Sequence, residues 1–183
     1  MAENKFYLSF GRHEKPDYEY GIEKEGMLRT WFLGRQLQKE LPMCATVYCS
    51  PLPRAEKTAF FQALGLGCKN LAVNDNLHES TPKFNIERFV NQVISTAGDK
   101  SFYHHFVTHL PVIEKLGLPE LGAGEICLLT AENKDEMLSE NYTVKVITKQ
   151  EPDFNWRKQR GLLPERLVLL SAEEIYQILQ QSD

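Results

Sequence analysis

The stretch Phe6-Tyr7-Leu8-Ser9-Phe10-Gly11-Arg12-His13 begins as an apolar run and ends on two basic side chains. Its first five residues read as a short strand. The pattern returns in Val107-Thr108-His109, where a second strand-like segment again ends in a histidine. In open α/β sheets ligands bind at the carboxyl edge of the strands, because loops there present side chains from a rigid scaffold. Two histidines delivered to one edge, with Arg12 beside the first and Arg54 beyond a further strand, predict a phosphate site. Imidazole can take a phosphoryl group as nucleophile, and guanidinium forks bind phosphate oxygens two at a time.

On either side of these segments, strand and helix patterns alternate. A polar loop over 14–21 leads into a helix over 25–41, whose Met27, Trp31, Leu33, Leu37 and Leu41 predict one buried face, closed by Pro42. Thr46-Val47-Tyr48-Cys49 reads as a strand broken by Ser50-Pro51-Leu52-Pro53. A helix over 54–64 follows, with Ala55, Ala59, Phe60 and Ala63 facing inward and the Phe60-Phe61 pair in the core. Leu71-Ala72-Val73 reads as another strand, and Ser80-Thr81-Pro82 opens a helix with Phe84, Ile86, Phe89, Val90, Val93 and Ile94 as its apolar residues. A strand within 101–108, containing a structural His104-His105 pair, and a short helix over 111–116 come next. Strands over 126–130 and 142–147 predict a hairpin whose solvated turn is the charged run Glu132 to Glu136. Ser171-Ala172-Glu173-Glu174 has capping-box spacing and starts a last helix. The expected architecture is a three-layer α/β/α sandwich with a mixed, mostly parallel central sheet.

With 183 residues the chain fits one domain over 1–183 and can bury a substantial core. Apolar residues make up 42% and charged residues 25%, as in ordinary globular proteins. A net charge of −4 argues against nucleic-acid binding through a general basic surface but permits a local cationic pocket. No run approaches the length of a membrane-spanning helix, and the first residues do not form a secretory signal. Cys44, Cys49, Cys68 and Cys127 are scattered, fitting neither a zinc site nor a disulfide framework. A cytoplasmic protein with reduced thiols is the simplest expectation, and one exported without a cleaved signal fits the same pattern. No cofactor and no metal site is expected.

Phosphoryl transfer without a metal needs an in-line nucleophile, cationic groups on the non-bridging oxygens and, for a poor leaving group, an acid. His13 supplies the nucleophile, Arg12 and Arg54 supply forked donors, and His109 supplies a further hydrogen bond. The order of these parts resembles the histidine phosphatase superfamily, whose fold is phosphoglycerate mutase-like. Arg12-His13 fills the first two positions of its Arg-His-Gly signature, and Ile22-Glu23-Lys24-Glu25-Gly26 is similar to its helix opening. Ser50-Pro51-Leu52-Pro53-Arg54-Ala55-Glu56-Lys57-Thr58 reproduces the third signature in full, and Val107-Thr108-His109 matches the fourth. His109-Leu110-Pro111, Phe154-Asn155-Trp156 and the compact length most resemble the bacterial phosphohistidine phosphatases. The likeness spans roughly residues 5 to 160. It implies that His13 is phosphorylated, that Arg12, Arg54 and His109 cradle the phosphate, and that Glu79 protonates the leaving group. The implied substrate is a phosphohistidine protein or a small phosphoester.

The sequence departs from that pattern at Glu14, which stands where the signature has glycine. Glycine there would signal positive φ or close backbone approach, and a carboxylate beside a phosphate is repulsive. Glu14 therefore opens a second reading, a weak or inactive relative that binds phosphorylated protein or a phosphate ligand without turnover. Alone, each histidine is equally well read as a hydrogen-bonded strand-end residue, and Arg54 as a surface partner of Glu56 or Glu40. The fixed motif order favours the site. His78 reads as a surface or capping residue, and Trp156 as either core or pocket rim.

Overall fold

The computed structural model describes residues 5–98 and 102–181. Its central sheet has six strands, β1 (Phe6–Arg12), β4 (Thr46–Cys49), β5 (Leu71–Val73), β6 (Tyr103–Thr108), β7 (Ile126–Ala131) and β8 (Thr143–Ile147), in the order β5-β4-β6-β1-β7-β8. The first four in that order are mutually parallel, and β7 and β8 are antiparallel additions. Two-residue strands β2 (Pro16–Asp17) and β3 (Gly21–Ile22) form a separate small ribbon. The helices are α1 (Lys24–Glu40), α2 (Pro53–Leu66), α3 (Lys83–Thr96), α4 (Leu110–Lys115), α5 (Lys134–Leu138), α6 (Phe154–Gln159), α7 (Pro164–Leu167) and α8 (Ala172–Gln180). The mixed, mostly parallel sheet and its helical layers match the expected architecture.

The chain steps across the sheet in one direction through α1 and α2, then reverses through α3 into β6. Parallel crossovers share one handedness, so a reversal moves the connecting helix to the opposite face. The core divides accordingly. Phe6, Leu8, Phe10 and Phe106 pack against Ile86, Val90, Val93 and Ile94 of α3. Val47, Tyr103, Val107 and Ile126 pack on the other face against Leu33 and Leu37 of α1 and Ala55, Ala59 and Ala63 of α2. The two-residue period of a strand produces this division from one alternating sequence.

Four expectations need correction. Helix α1 is buried on two sides, because Met27, Leu28 and Trp31 pack against Leu167, Ile175 and Leu179 of the carboxyl-terminal helices and Leu162 between α6 and α7, while Leu33 and Leu37 face the sheet. Phe60 is 37% exposed beside Tyr176, whereas Phe61 is the buried member of the pair. Successive helical residues point about 100° apart, so both could not face the same layer. Phe84, on the first turn of α3, is 69% exposed. Between β7 and β8 the charged run also does more than turn. Asn133 accepts a hydrogen bond from Glu136 N at 2.9 Å and caps α5, whose Met137 reaches the core. The capping box at Ser171 is present, closing α8 at its amino end. No helix among the described residues is long and apolar enough to cross a membrane.

Candidate active site

The parallel register brings the two histidines together. Arg12 is the Cα partner of Thr108, so the next residues, His13 and His109, leave adjacent strands side by side. His13 N donates to Thr108 O at 3.0 Å, and the two imidazole rings meet edge to face with centroids 5.0 Å apart. The neighbouring strand β4 delivers the third component. Ser50 N donates to Val107 O at 3.0 Å as the strand ends, and Ser50 Oγ lies 2.7 Å from His109 Nε2. Pro53 then occupies the first turn of α2, where a missing N–H costs nothing. That start turns Arg54 into the crevice, where its Nε donates to His13 Nε2 at 3.1 Å.

The bonds fix the state of His13. Its Nδ1 lies 2.7 Å from the Glu14 carbonyl oxygen. A carbonyl only accepts, so the proton sits on Nδ1 and Nε2 keeps its lone pair. Burial pushes the imidazole below its usual range. The Glu14 carbonyl opposes that shift, and the Arg54 and Arg12 guanidinium groups add to it. His109 is pushed down to about 3, first by burial and then by its electrostatic interaction with the neighbouring His13, Arg54 and His78 side chains. Both rings are therefore neutral near pH 7.

Glu79 follows the 3₁₀ turn at Asp75–Leu77 and reaches the same cluster. Its carboxylate accepts from Arg54 Nη2 at 2.9 Å and stands 3.7 Å from His109 Nδ1. Arg54 thus pairs with Glu79, not with Glu56 or Glu40. Arg12 Nη1 donates to Leu121 O at 2.8 Å. Arg12 Nε and His109 Nδ1 are both buried without a hydrogen-bond partner among the described residues. Unpartnered buried polar atoms are costly, so these two groups are suited to an incoming hydrogen-bond partner. His13, His109, Arg54 and Glu79 converge in the crevice, and the Arg12 guanidinium lies near enough to help lower His13.

Glu14 turns away from this cluster. Its side chain is fully buried and accepts Arg29 Nε at 2.9 Å and Arg29 Nη2 at 3.0 Å, a two-bond fork. Its N–H donates to Thr58 Oγ1 at 3.0 Å, and that hydroxyl donates to Arg54 O at 2.8 Å. The only non-glycine residue with positive φ among those described is Glu140, so the backbone at Glu14 does not need glycine. The space is made elsewhere: a Cβ on Gly124 would stand 2.3 Å from Glu14 Oε1.

Sequence reasoning missed three participants. Ser50 lies inside a recognised motif but was assigned no role. Arg29 lies outside every motif, and so does Lys115, whose ammonium donates to Glu79 O at 2.8 Å and Thr81 O at 2.9 Å. Their partners are distant in sequence, and no spacing signals them. His78 bonds Ser80 Oγ at 2.8 Å, as a capping residue does, and Trp156 packs on Trp31 with ring centroids 5.2 Å apart, away from the crevice. His104 and His105 are buried within β6, as expected of structural residues.

No protein-family model and no curated protein sequence matches the chain. Solved structures do match it, and they define the class of fold. The protein histidine phosphatase SixA complexed with tungstate superposes with a TM-score of 0.63 at 14% identity, over 80% of this chain and 97% of that one. A mycobacterial glucosyl-3-phosphoglycerate phosphatase complexed with VO3 gives 0.58 at 14% identity, over 80% and 100%. Phosphoglycerate mutase from Plasmodium falciparum gives 0.55 at 19% identity, over 81% and 94%. The chain therefore has the phosphoglycerate mutase-like fold of the histidine phosphatases.

Proposed function

We propose that the protein is a phosphatase that works through a phosphohistidine on His13 and needs no metal. The observation that carries this reading is the His13 Nε2 lone pair held by Arg54 at 3.1 Å, together with Arg12 Nε and His109 Nδ1, buried without a hydrogen-bond partner among the described residues. Neutral His13 attacks phosphorus through Nε2, and the bond to the leaving group breaks. Arg12, Arg54 and His109 hold the non-bridging oxygens, where charge concentrates during transfer. When Ser50 donates to His109 Nε2, the ring proton lies on Nδ1, the atom that faces the crevice. Glu79, when protonated, gives its proton to the leaving atom, and water then hydrolyses the phosphohistidine. A phosphohistidine side chain leaves as imidazole and depends little on that acid. A small phosphoester leaves as alkoxide and depends on it more. Glu14 is neutralised by Arg29 outside the crevice, which supports turnover over binding alone.

The test is hydrolysis of an aryl phosphate and of a phosphohistidine peptide with chelator present. His13→Ala is expected to lose roughly three orders of magnitude or more in kcat. Wild type quenched during turnover should carry an acid-labile, alkali-stable phosphoryl group on His13. Turnover unchanged by the substitution, or lost on chelation, would sink the proposal.

A further inference from the structure

Outside the crevice, two cysteines far apart in sequence meet at the other end of the α2 unit. Cys44 lies just before β4, and Cys68 lies just after α2. The strand pairing that begins at Val47 and Leu71 draws these two approaches together. Val47 N donates to Asn70 O at 2.8 Å, and Asn70 Nδ2 donates to Ala45 O at 2.8 Å. Cys44 is buried in the cluster between the sheet and its α1–α2 layer, and Cys68 packs against that cluster from a partly exposed position. Val47 and Leu71 are register partners, and Cys44 and Cys68 each stand three residues before them, on the same side of the pairing.

We propose that Cys44 and Cys68 form a reversible disulfide site, oxidised by small-molecule disulfides of the glutathione type. This placement favours an ordered reaction. The neighbouring Cys44 thiol holds the Cys68 thiol below its usual range, against burial, with help from the Asn70 and Val47 backbone. Cys44 is pushed up by the neighbouring Cys68 thiol and by burial. Cys68 is therefore the attacking thiolate and Cys44 the resolving thiol. Cys68 Sγ attacks one sulfur of the oxidant, whose S–S bond breaks to release one glutathione thiolate. Cys44 then attacks Cys68 Sγ, the internal S–S bond forms, and the second glutathione thiolate leaves. The two protein protons end on the two glutathione thiols, so the protein loses two electrons and the oxidant gains them. The covalent ring formed over 44–68 encloses both Ser50 and Arg54. The site stands independently of the phosphatase reading.

Cys49 and Cys127 serve as internal controls, because burial pushes their thiols up to about 12 and about 11. The native full-length chain is incubated with glutathione disulfide, its remaining thiols are alkylated after denaturation, and its peptides are weighed. Wild type is expected to yield one Cys44–Cys68 cross-linked peptide, removed by dithiothreitol, with Cys49 and Cys127 alkylated. Cys44→Ala should instead leave glutathione attached at Cys68. A glutathione adduct that persists on Cys68 in wild type, an unreactive Cys68, or cross-links to Cys49 or Cys127 would overturn the site.

Discussion

Glu14 shows how one residue can depart from a motif without disturbing the group beside it. A carboxylate with no exposed surface must be paired, and Arg29 pairs it through two hydrogen bonds of 2.9 and 3.0 Å. Its other ion pair, with Glu151 at 3.3 Å, ends on a glutamate that is 57% exposed and contributes little. Removing Arg29 leaves a buried charge unmatched, which costs about 3–5 kcal/mol. We therefore expect Arg29→Met to lose stability in that range by urea denaturation. Glu14→Met/Arg29→Met should recover most of it, because the charge is removed with its partner. A single variant within about 1 kcal/mol of wild type would show that the pair is not the anchor it appears in the geometry. Nothing in the sequence announces this pair. Glu14 lies in the loop after β1 and Arg29 on α1, and although Glu14 stands out as a departure from the signature, nothing in the spacing names its partner.

The helix pair α1–α2 makes the corresponding point for elements. Gly34 and Gly65 let the two backbones touch: a Cβ on Gly65 would stand 2.1 Å from Trp31 O, and one on Gly34 would stand 2.6 Å from Gln62 O. Those neighbours are backbone and cannot swing aside, so Gly65→Ala must push the helices apart. The expected loss is about 1–3 kcal/mol, the usual range for overpacking, and thermal denaturation measures it. A Tm equal to wild type would mean that the crossing relaxes at no cost. Apolar periodicity exposed the existence of both helices, because each buries a stripe against the sheet. It did not expose the second buried side of α1 or the outward turn of Phe60. Those depend on the carboxyl-terminal helices, whose docking on α1 is a long-range choice that local spacing does not encode.

For the whole molecule, the site was legible where topology forces it and illegible where packing decides. Parallel strands that end in histidine deliver both to one sheet edge, so the gathering of His13 and His109 could be read from the repeated pattern, while the adjacency of β1 and β6 could not. The neutral state of those rings could not, because it comes from burial. His105 shares it, lying wholly buried between Ser9 Oγ at 2.6 Å and Gln62 Oε1 at 2.8 Å, with burial pushing its ring down to about 3. An unfolded histidine binds its proton near pH 6.5, whereas native His105 and His109 bind theirs only near 3. Between those limits unfolding takes up protons, so stability is full above 6.5 and is lost as pH falls. Each ring contributes a slope of up to about 1.4 kcal/mol per pH unit. The acid limb of kcat/KM should also lie below pH 6.5, since His13 is lowered for the same first reason. His105→Gln separates the two effects, because His105 stands outside the crevice and its substitute removes the titration there. Denaturation midpoints of that variant between pH 6.5 and 5 should fall less steeply than wild type, by about one proton's slope, while its kcat/KM profile keeps the wild-type acid limb. Parallel stability slopes for the two proteins would show that His105 is protonated in the native state, and burial would then not be governing the core histidines.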